Sequence, residues 1–413
     1  MLSAIKIRLY PDTDQQQKLA MQFGCARFVW NKALAIKSGA WKEHRESLSC
    51  YTIKSMLPVW KKDDYPWLKD ADSQGMQEVI RHLERAYTNF FEKRGRHPQF
   101  KKKHGARQSI HYPQRVKLDG SLLYLPKVGW VKAVVHRVVS GTIKTVSVSK
   151  NACGHYFASI LTQDGLPEAK AITHFERSRI LGIDMGIKDV VTDSRGRKSG
   201  NPRFLSGVLK RLRRHQRALS RKIEAAKKRY ETAKAACEGE QAFRLRDFFG
   251  ANIAKARVRL AKLHQHVANA RNDWQHKLSR QLADENQAVA AETLNIKGMM
   301  KNRRLSRAIA DVGWSGLLTK VDYKLQHKGG QLARIDRWFP SSKTCSCCGA
   351  VNKTLTLKQR SWLCTSCDTV HDRDTNASRN IEQQGVLKLK AAGLSVSAHG
   401  GCVSPEHIAL AAA

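Results

Sequence analysis

Acidic residues are scarce in this chain: Asp and Glu number 35 against 74 Lys and Arg, a formal net charge of +39 over 413 residues. The excess runs through most of the sequence and is not confined to a tail. Self-repulsion on that scale calls for a polyanion, and nucleic acid fits because its phosphates release counterions as Lys and Arg approach. Also missing is any apolar run near the ~20 residues of a membrane span. The opening "MLSAIKIRLYPD" lacks the apolar stretch of a secretion signal. These absences argue against membrane and exported proteins, and the expected location is the cytoplasm. The length suits two or three domains, each with its own core.

What is present changes character along the chain. "SAIKIRLYP" alternates apolar and basic residues, the pattern of a short strand stopped by Pro11. From Asp12 a helical period takes over, with Leu19, Phe23, Phe28, Trp30 and Ala33 on the apolar faces and later Met76, Ile80, Leu83, Ala86 and Phe90 in a second stripe. After the basic linker "RGRHPQFKKKHGARQS", the segments "LLYLPKVGWVKAVVH", "TIKTVSVSK" and "YFASILT" read as strands of a small antiparallel sheet or barrel. The first strand would complete it, with the helical block inserted between. A third regime opens at "RILGIDMGIKDVVTDSRGR", two strands hairpinned about Gly186-Ile187-Lys188. Two long helices follow, with Leu205, Val208, Leu209, Leu212, Leu219 and Ile223 on one and Leu260, Leu263, Val267, Trp274 and Leu278 on the other. They are expected as an antiparallel hairpin whose basic outer face contacts phosphates.

Three acids stand in unusual company. Glu292 is the one acid of an apolar strand, "QAVAAETLNIKG", where an unpaired carboxylate costs several kcal/mol unless a cation compensates. Asp184 sits likewise in "ILGIDMG", where flanking glycines would let a phosphate or ion come close to the backbone. Asp374 precedes "TNASRNIEQQ", the start of a helix. Each has a plain alternative: a turn start for Asp184, an Arg partner for Glu292, an N-cap for Asp374. Together, strand-Asp, strand-Glu and helix-start-Asp are what a two-metal nuclease of the RNase H type needs. Two cations about 4 Å apart, clamped by the three carboxylates, would activate water and stabilise the leaving oxygen of a phosphodiester. Asp189, Asp193, Asp284, Glu285 and Asp372 are rival ligands, ranked lower because they fall in turns and helix ends.

Of the ten cysteines, five crowd into residues 345 to 367, and Cys25, Cys50, Cys153, Cys237 and Cys402 are scattered, expected only to fill space. Cys345 with Cys348 and Cys364 with Cys367 form two C-x2-C pairs, the spacing of a tetrahedral structural zinc site that staples a ribbon too small for its own core. Cys347 is an alternative to Cys348 as ligand. The ribbon would sit immediately before Asp374 and deliver it to the metals, and Lys343, Lys353, Lys358 and Arg360 would touch nucleic acid.

Taken as a set, "IKIRLYPD", "ARFVWNKAL", "PWLKDADSQGMQ", "AYTNFFEK", "GIDMGIKD", "RNDWQHKLSR", "ETLNIKGMMKNRRLSRAIADVGW", "FPSSKTCSCCG" and "HDRDTNAS" resemble the TnpB family. These are transposon-encoded proteins with a RuvC-like nuclease domain, related to type V CRISPR effectors. The resemblance covers nearly the whole chain. It implies a multidomain α/β fold: a β-barrel wedge domain (1–11 and 106–170), an inserted helical recognition domain (12–105), and a RuvC-like nuclease domain (178–339 and 372–395). The nuclease domain would carry the basic helical hairpin (204–283) and a zinc ribbon (340–371), and a tail (396–413) would follow. It further implies an RNA-guided DNA endonuclease of the bacterial cytosol or nucleoid, with a guide RNA derived from the transposon end and target double-stranded DNA as partners. Magnesium would be held by Asp184, Glu292 and Asp374, and base pairing would specify the sequence. Tyr51, Ser73 and Gln77 are the positions implied to read a flanking motif. Two departures stand out. The connection "AACEGEQAFRLRDFFGANIAK" (235–255) is longer than the family usually shows, and Asp368 replaces the glycine that commonly follows the second cysteine pair. The rival functions are a guide-dependent regulator that binds without cutting, and a transposase that joins strands.

Overall fold

The apolar positions of the first strand alternate, and β1 (Leu2–Tyr10) buries Ile5, Ile7 and Leu9 on one face. The computed structural model describes residues 2–103, 105, 108–236, 244–356 and 358–397, so Cys237, Cys402, part of the 235–255 connection and residues 398–413 lie outside the described residues. Pro11 ends β1, and Asp12 caps α1 (Thr13–His44) by a reciprocal exchange in which Gln15 N–H donates to the Asp12 carboxylate and Asp12 N–H to the Gln15 side chain. Two further helices, α2 (Cys50–Val59) and α3 (Ser73–Phe91), precede the strands β2 (Gln108–Tyr112), β3 (Lys117–Asp119), β4 (Leu122–Leu125), β5 (Gly129–Val134), β6 (Thr142–Lys150) and β7 (Tyr156–Gln163).

These seven strands form one antiparallel sheet in the order β2-β6-β7-β1-β5-β4-β3. The first strand completes the sheet as expected, and it does so at the centre, between β7 and β5. The edge strands β2 and β3 do not pair with each other, which leaves the sheet an open half-barrel. Its core is closed by helices instead. Leu19, Phe23, Trp30 and Ala33 of α1 and Met76, Ile80 and Leu83 of α3 join Ile7, Val148 and Ile160 in one continuous cluster. Gly75 makes the close approach possible, because a Cβ there would stand 2.8 Å from the His111 carbonyl of β2. Phe90, expected on the α3 stripe, is exposed.

Two compact units divide the chain, residues 1–167 with 249–262 and residues 168–248 with 263–413. In the second, β9 (Ile180–Asp184), preceded by the short β8 (His174–Phe175), pairs antiparallel with β10 (Thr192–Asp193), the hairpin read from the sequence. The helices α4 (Leu209–Ala235) and α5 (Ala251–Glu285) follow, the residues of α5 through 262 grouping with the first unit. Leu212 and Ala226 are the buried residues of α4, whereas Leu209, Leu219 and Ile223 are only half-buried. Arg213, Arg217 and Arg221 line an open groove of about 620 Å³ along α4.

Next come β11 (Ala288–Glu292), the short helices α6 (Ile296–Met299) and α7 (Ser306–Val312), α8 (Trp314–Gln326) and β12 (Gln331–Ile335). The sheet order is β10-β9-β11-β12, with β9, β11 and β12 mutually parallel. Continuous apolar runs on β9 and β11 are buried on both sides, as parallel strands require. One face packs on Trp314, Leu317 and Val321. The other packs on α9 (Arg373–Ala391), which follows the ribbon strands β13 (Ser361–Leu363) and β14 (Val370–Asp372) and precedes β15 (Ser395–Val396). A Cβ at Gly182 would lie 2.0 Å from the Ser378 carbonyl, and one at Gly385 2.4 Å from Ala290 Cβ. Gly182 thus serves helix-to-strand packing and not the approach of a phosphate to Asp184. Gly186, whose Cβ would stand 2.6 Å from the Asp189 carbonyl, serves the turn.

Candidate active site and metal centre

Neighbouring parallel strands end together. Ile183 lies opposite Ala291, so the next residues, Asp184 and Glu292, leave the sheet side by side at its carboxyl edge. Asp372 N-caps α9, accepting the Thr375 N–H at 2.9 Å, which releases Asp374 in the first helical turn from any capping role. Asp184 senses both of the other acids. Burial, then the charges of Glu292 and Asp374, push the Asp184 carboxyl up to about 7, against the Met185 N–H and the Arg373 charge. Burial also raises Glu292, opposed by a short hydrogen bond donated by the Ser341 hydroxyl. Arg360 Nη1 stands 3.5 Å from Asp374 Oδ1. A buried carboxyl held partly protonated beside two other acids fits divalent cations, which would supply the missing positive charge.

Four of the rival acids are engaged elsewhere. Asp193 is buried and takes the Arg197 Nε at 2.7 Å. Asp284 pairs with Lys328 at 2.6 Å, Glu285 with Arg197 at 2.9 Å, and Asp372 with Lys198 at 3.2 Å in addition to its cap. Sequence reading missed Ser341 and Arg373. Ser341 lay inside the quoted "FPSSK", but nothing local marks a serine as a carboxylate partner 49 residues away.

The cysteine ribbon closes at short range. The sulphurs of Cys345, Cys348, Cys364 and Cys367 all lie within 4.8 Å of one another, and among the described residues no other His, Cys, Asp or Glu group closes to that spacing, the three carboxylates included. Cys347 is exposed and outside the group, so Cys348 is the fourth member. Burial pushes the Cys345 thiol up to about 12, which keeps it protonated without a cation. A tetrahedral zinc ion suits the four sulphurs of this group and leaves no open position for water. His371 brings Nε2 to 3.0 Å from Cys345 Sγ and leans on Trp362. The residue after each second cysteine has positive φ, +78° at Gly349 and +50° at Asp368.

The expected flank readers fall in the first unit and do not form a single lining. Tyr51 on α2 is 81% exposed and borders an open groove of about 670 Å³ with Lys54, Arg81, Arg85 and Arg94. Ser73 accepts a hydrogen bond from Lys61 Nζ at 2.8 Å, and Gln77, one turn along α3, is half-buried.

Comparison with known proteins now bears on this geometry. Family models match as a helix-turn-helix domain over residues 1–46, a "Probable transposase" domain of the OrfB_IS605 type over 172–303, and a Cas12f1-like TNB domain over 314–381. A Streptomyces pristinaespiralis protein named "Putative RNA-guided DNA endonuclease" is 35% identical over 411 residues, covering 98% of this chain and 92% of the relative. The chain belongs to the TnpB family. A second TnpB-type relative, InsQ of Escherichia coli K12, carries the same description and is 31% identical across 93% of this chain and 92% of its own. The likeness extends to a solved Cas12f1–sgRNA–target DNA complex, with a TM-score of 0.52 and 13% identity over 92% of this chain and 98% of that one, a correspondence of fold alone.

Proposed function

We propose that this TnpB-family chain is an RNA-guided DNA endonuclease in which Asp184, Glu292 and Asp374 form the cleavage site. The observation that carries this reading is the meeting of three sequence-distant carboxylates at one sheet edge, where burial, joined by the charges of Glu292 and Asp374, raises Asp184 to about 7. Magnesium ions, when bound, supply Lewis-acid stabilisation of the charge that develops on the phosphate oxygens. The chain's own residues orient the reaction. Asp184 and Glu292 hold adjacent positions in strand register, Ser341 fixes one Glu292 oxygen, and the helix start aims Asp374 at the same edge.

Zinc at Cys345, Cys348, Cys364 and Cys367 would hold the ribbon whose exit strand leads into α9. A guide RNA from the transposon end would pair with double-stranded target DNA, and Tyr51, Ser73 and Gln77 would read the flanking motif. The basic charge of the chain supports both partners, and no helix among the described residues is long and apolar enough to cross a membrane. The intact carboxylate cluster favours cutting over a binding-only regulator, and the relatives' names favour an endonuclease over a strand-joining transposase.

The test is to sequence the RNA that copurifies with the protein, then challenge the complex with a matching target behind a randomised flank. Magnesium-dependent hydrolysed ends are expected, and Asp184→Ala should retain RNA and DNA binding while cleavage falls about a thousandfold or more. Cleavage that survives the substitution, or joined strands as the product, defeats the assignment.

A further inference from the structure

Trp338 is 82% exposed, the most exposed of the nine tryptophans. Its segment is nevertheless tied to the carboxylate edge at both ends. Before it, Ile335 ends β12 in register with Glu292, and its carbonyl accepts the Thr293 hydroxyl at 2.8 Å. After it, buried Ser341 donates to Glu292 itself. Between these anchors, Asp336 Oδ1 accepts the Trp338 N–H at 2.7 Å, Phe339 packs into the cluster of Ile335 and Ile381, and the Arg337 guanidinium lies 5.8 Å from the indole centroid. A large apolar ring is thus presented to solvent by a constrained turn beside the proposed cleavage site.

The segment after β11, which includes α6 and the start of α7, leaves from the same edge, because β11 and β12 are parallel and end in register. It carries exposed Lys297, Lys301, Arg303, Arg304 and Arg307, and no acid occurs from Thr293 through Ala310. An aromatic face flanked by cations is the chemistry of a single-strand site, in which the ring stacks on a base and the cations follow the phosphates. Bases inside a duplex have both faces covered by their neighbours, so an indole of this kind takes a base already released from its pair.

We propose that Trp338 is a stacking platform for an unpaired base of the DNA strand that enters the carboxylate edge. The inference rests on the endonuclease reading for the identity of that strand, but its test reads binding and not cutting. Asp184→Ala protein, purified with its RNA, is titrated with oligodeoxythymidylate and with an abasic oligonucleotide of equal length, in chains carrying Trp338, Trp338→Phe or Trp338→Ala. One base on one ring contributes about fivefold in affinity at the low end of the known range. Trp338→Ala should therefore weaken thymidylate binding by about fivefold or more and leave abasic binding unchanged, and Trp338→Phe should recover most of the loss.

Equal weakening toward both oligonucleotides in a variant of unchanged melting temperature, or no weakening toward either, overturns the proposal. So does a Trp338→Ala protein that binds DNA normally but loses a protein partner. If magnesium-dependent cleavage is absent in the chain with Asp184 intact while the ring-dependent preference for bases persists, the endonuclease reading fails and the stacking site stands. The reverse pattern removes only the stacking site.

Discussion

The cysteine cluster and the carboxylate cluster gather donors of opposite build. Four thiols drawn from residues 345 to 367 close to within 4.8 Å through two tight turns and a short hairpin. Three carboxylates at 184, 292 and 374 are brought in by two strands and a helix, and their oxygens stay farther apart than the sulphurs do. On the proposed reading, the difference follows from what each would hold. One structural ion would need a closed tetrahedron, whereas a pair of ions facing a phosphate would need an open edge. It also follows from what assembles each. The first depends on turn geometry within a ribbon, the second on register between β9 and β11 and on the packing of α9 against both.

The largest effect that would break this contrast lies in the ribbon. Cys348→Ser should abolish stoichiometric zinc in the purified protein, because structural zinc sites contribute roughly 10 kcal/mol or more to folding. Cys347→Ser should leave the metal content unchanged. Metal analysis of the two variants decides the matter, and the opposite outcome would exchange their roles. Next comes the hydroxyl that serves the open edge. Ser341→Ala removes the hydrogen bond to Glu292 and should lower cleavage by about 10- to 100-fold, the range for a group that orients a metal ligand. Zinc content should not move, and Ser341→Thr should restore part of the rate.

A smaller effect separates the clusters by pH. Asp184 rises from its ordinary 3.8 to about 7 on folding, so the folded metal-free protein binds more protons than the unfolded chain between those values. Stability then falls as pH rises through that window. In chelator, Asp184→Asn should match the parent's melting temperature near pH 4 and exceed it by a few degrees at pH 8. A gap that stays constant across pH would mean that Asp184 is not held protonated by burial and its acidic neighbours. Smallest is the second knuckle. Asp368 occupies the left-handed region that Gly349 occupies in the first. Asp368→Gly should raise the ribbon's stability by at most about 1 kcal/mol, offset in part by added freedom of the unfolded chain, whereas Gly349→Asp should lower it. Thermal melts of the zinc-bound proteins compare the two.

Much of the fold was legible because it follows from local period. The capped start of α1, the buried stripes of α1 and α3, the β9–β10 hairpin and the two C-x2-C pairs all follow from residues within one or two turns of one another. Where the sequence was silent or misleading, distance was the cause. That β1 joins the sheet was legible, but its central place depends on pairing with β5 and β7 more than a hundred residues later. The meaning of Gly182 depends on α9 crossing it, and a glycine beside an acid reads equally well as a ligand contact until that helix is in place. Asp372 and Asp374 are indistinguishable as caps in the sequence, and the hydrogen bond from Thr375 separates them.

Sequence alone determined the charge that demands a polyanion, the sulphur spacing that suits zinc, and the three acids set in apolar or helix-start surroundings, because composition and short-range spacing carry those properties. Tertiary structure alone decided which acids meet, that Ser341 holds Glu292, and that an open indole stands beside them. Such contacts arise from strand register and helix packing between segments tens to hundreds of residues apart, and no local pattern encodes them.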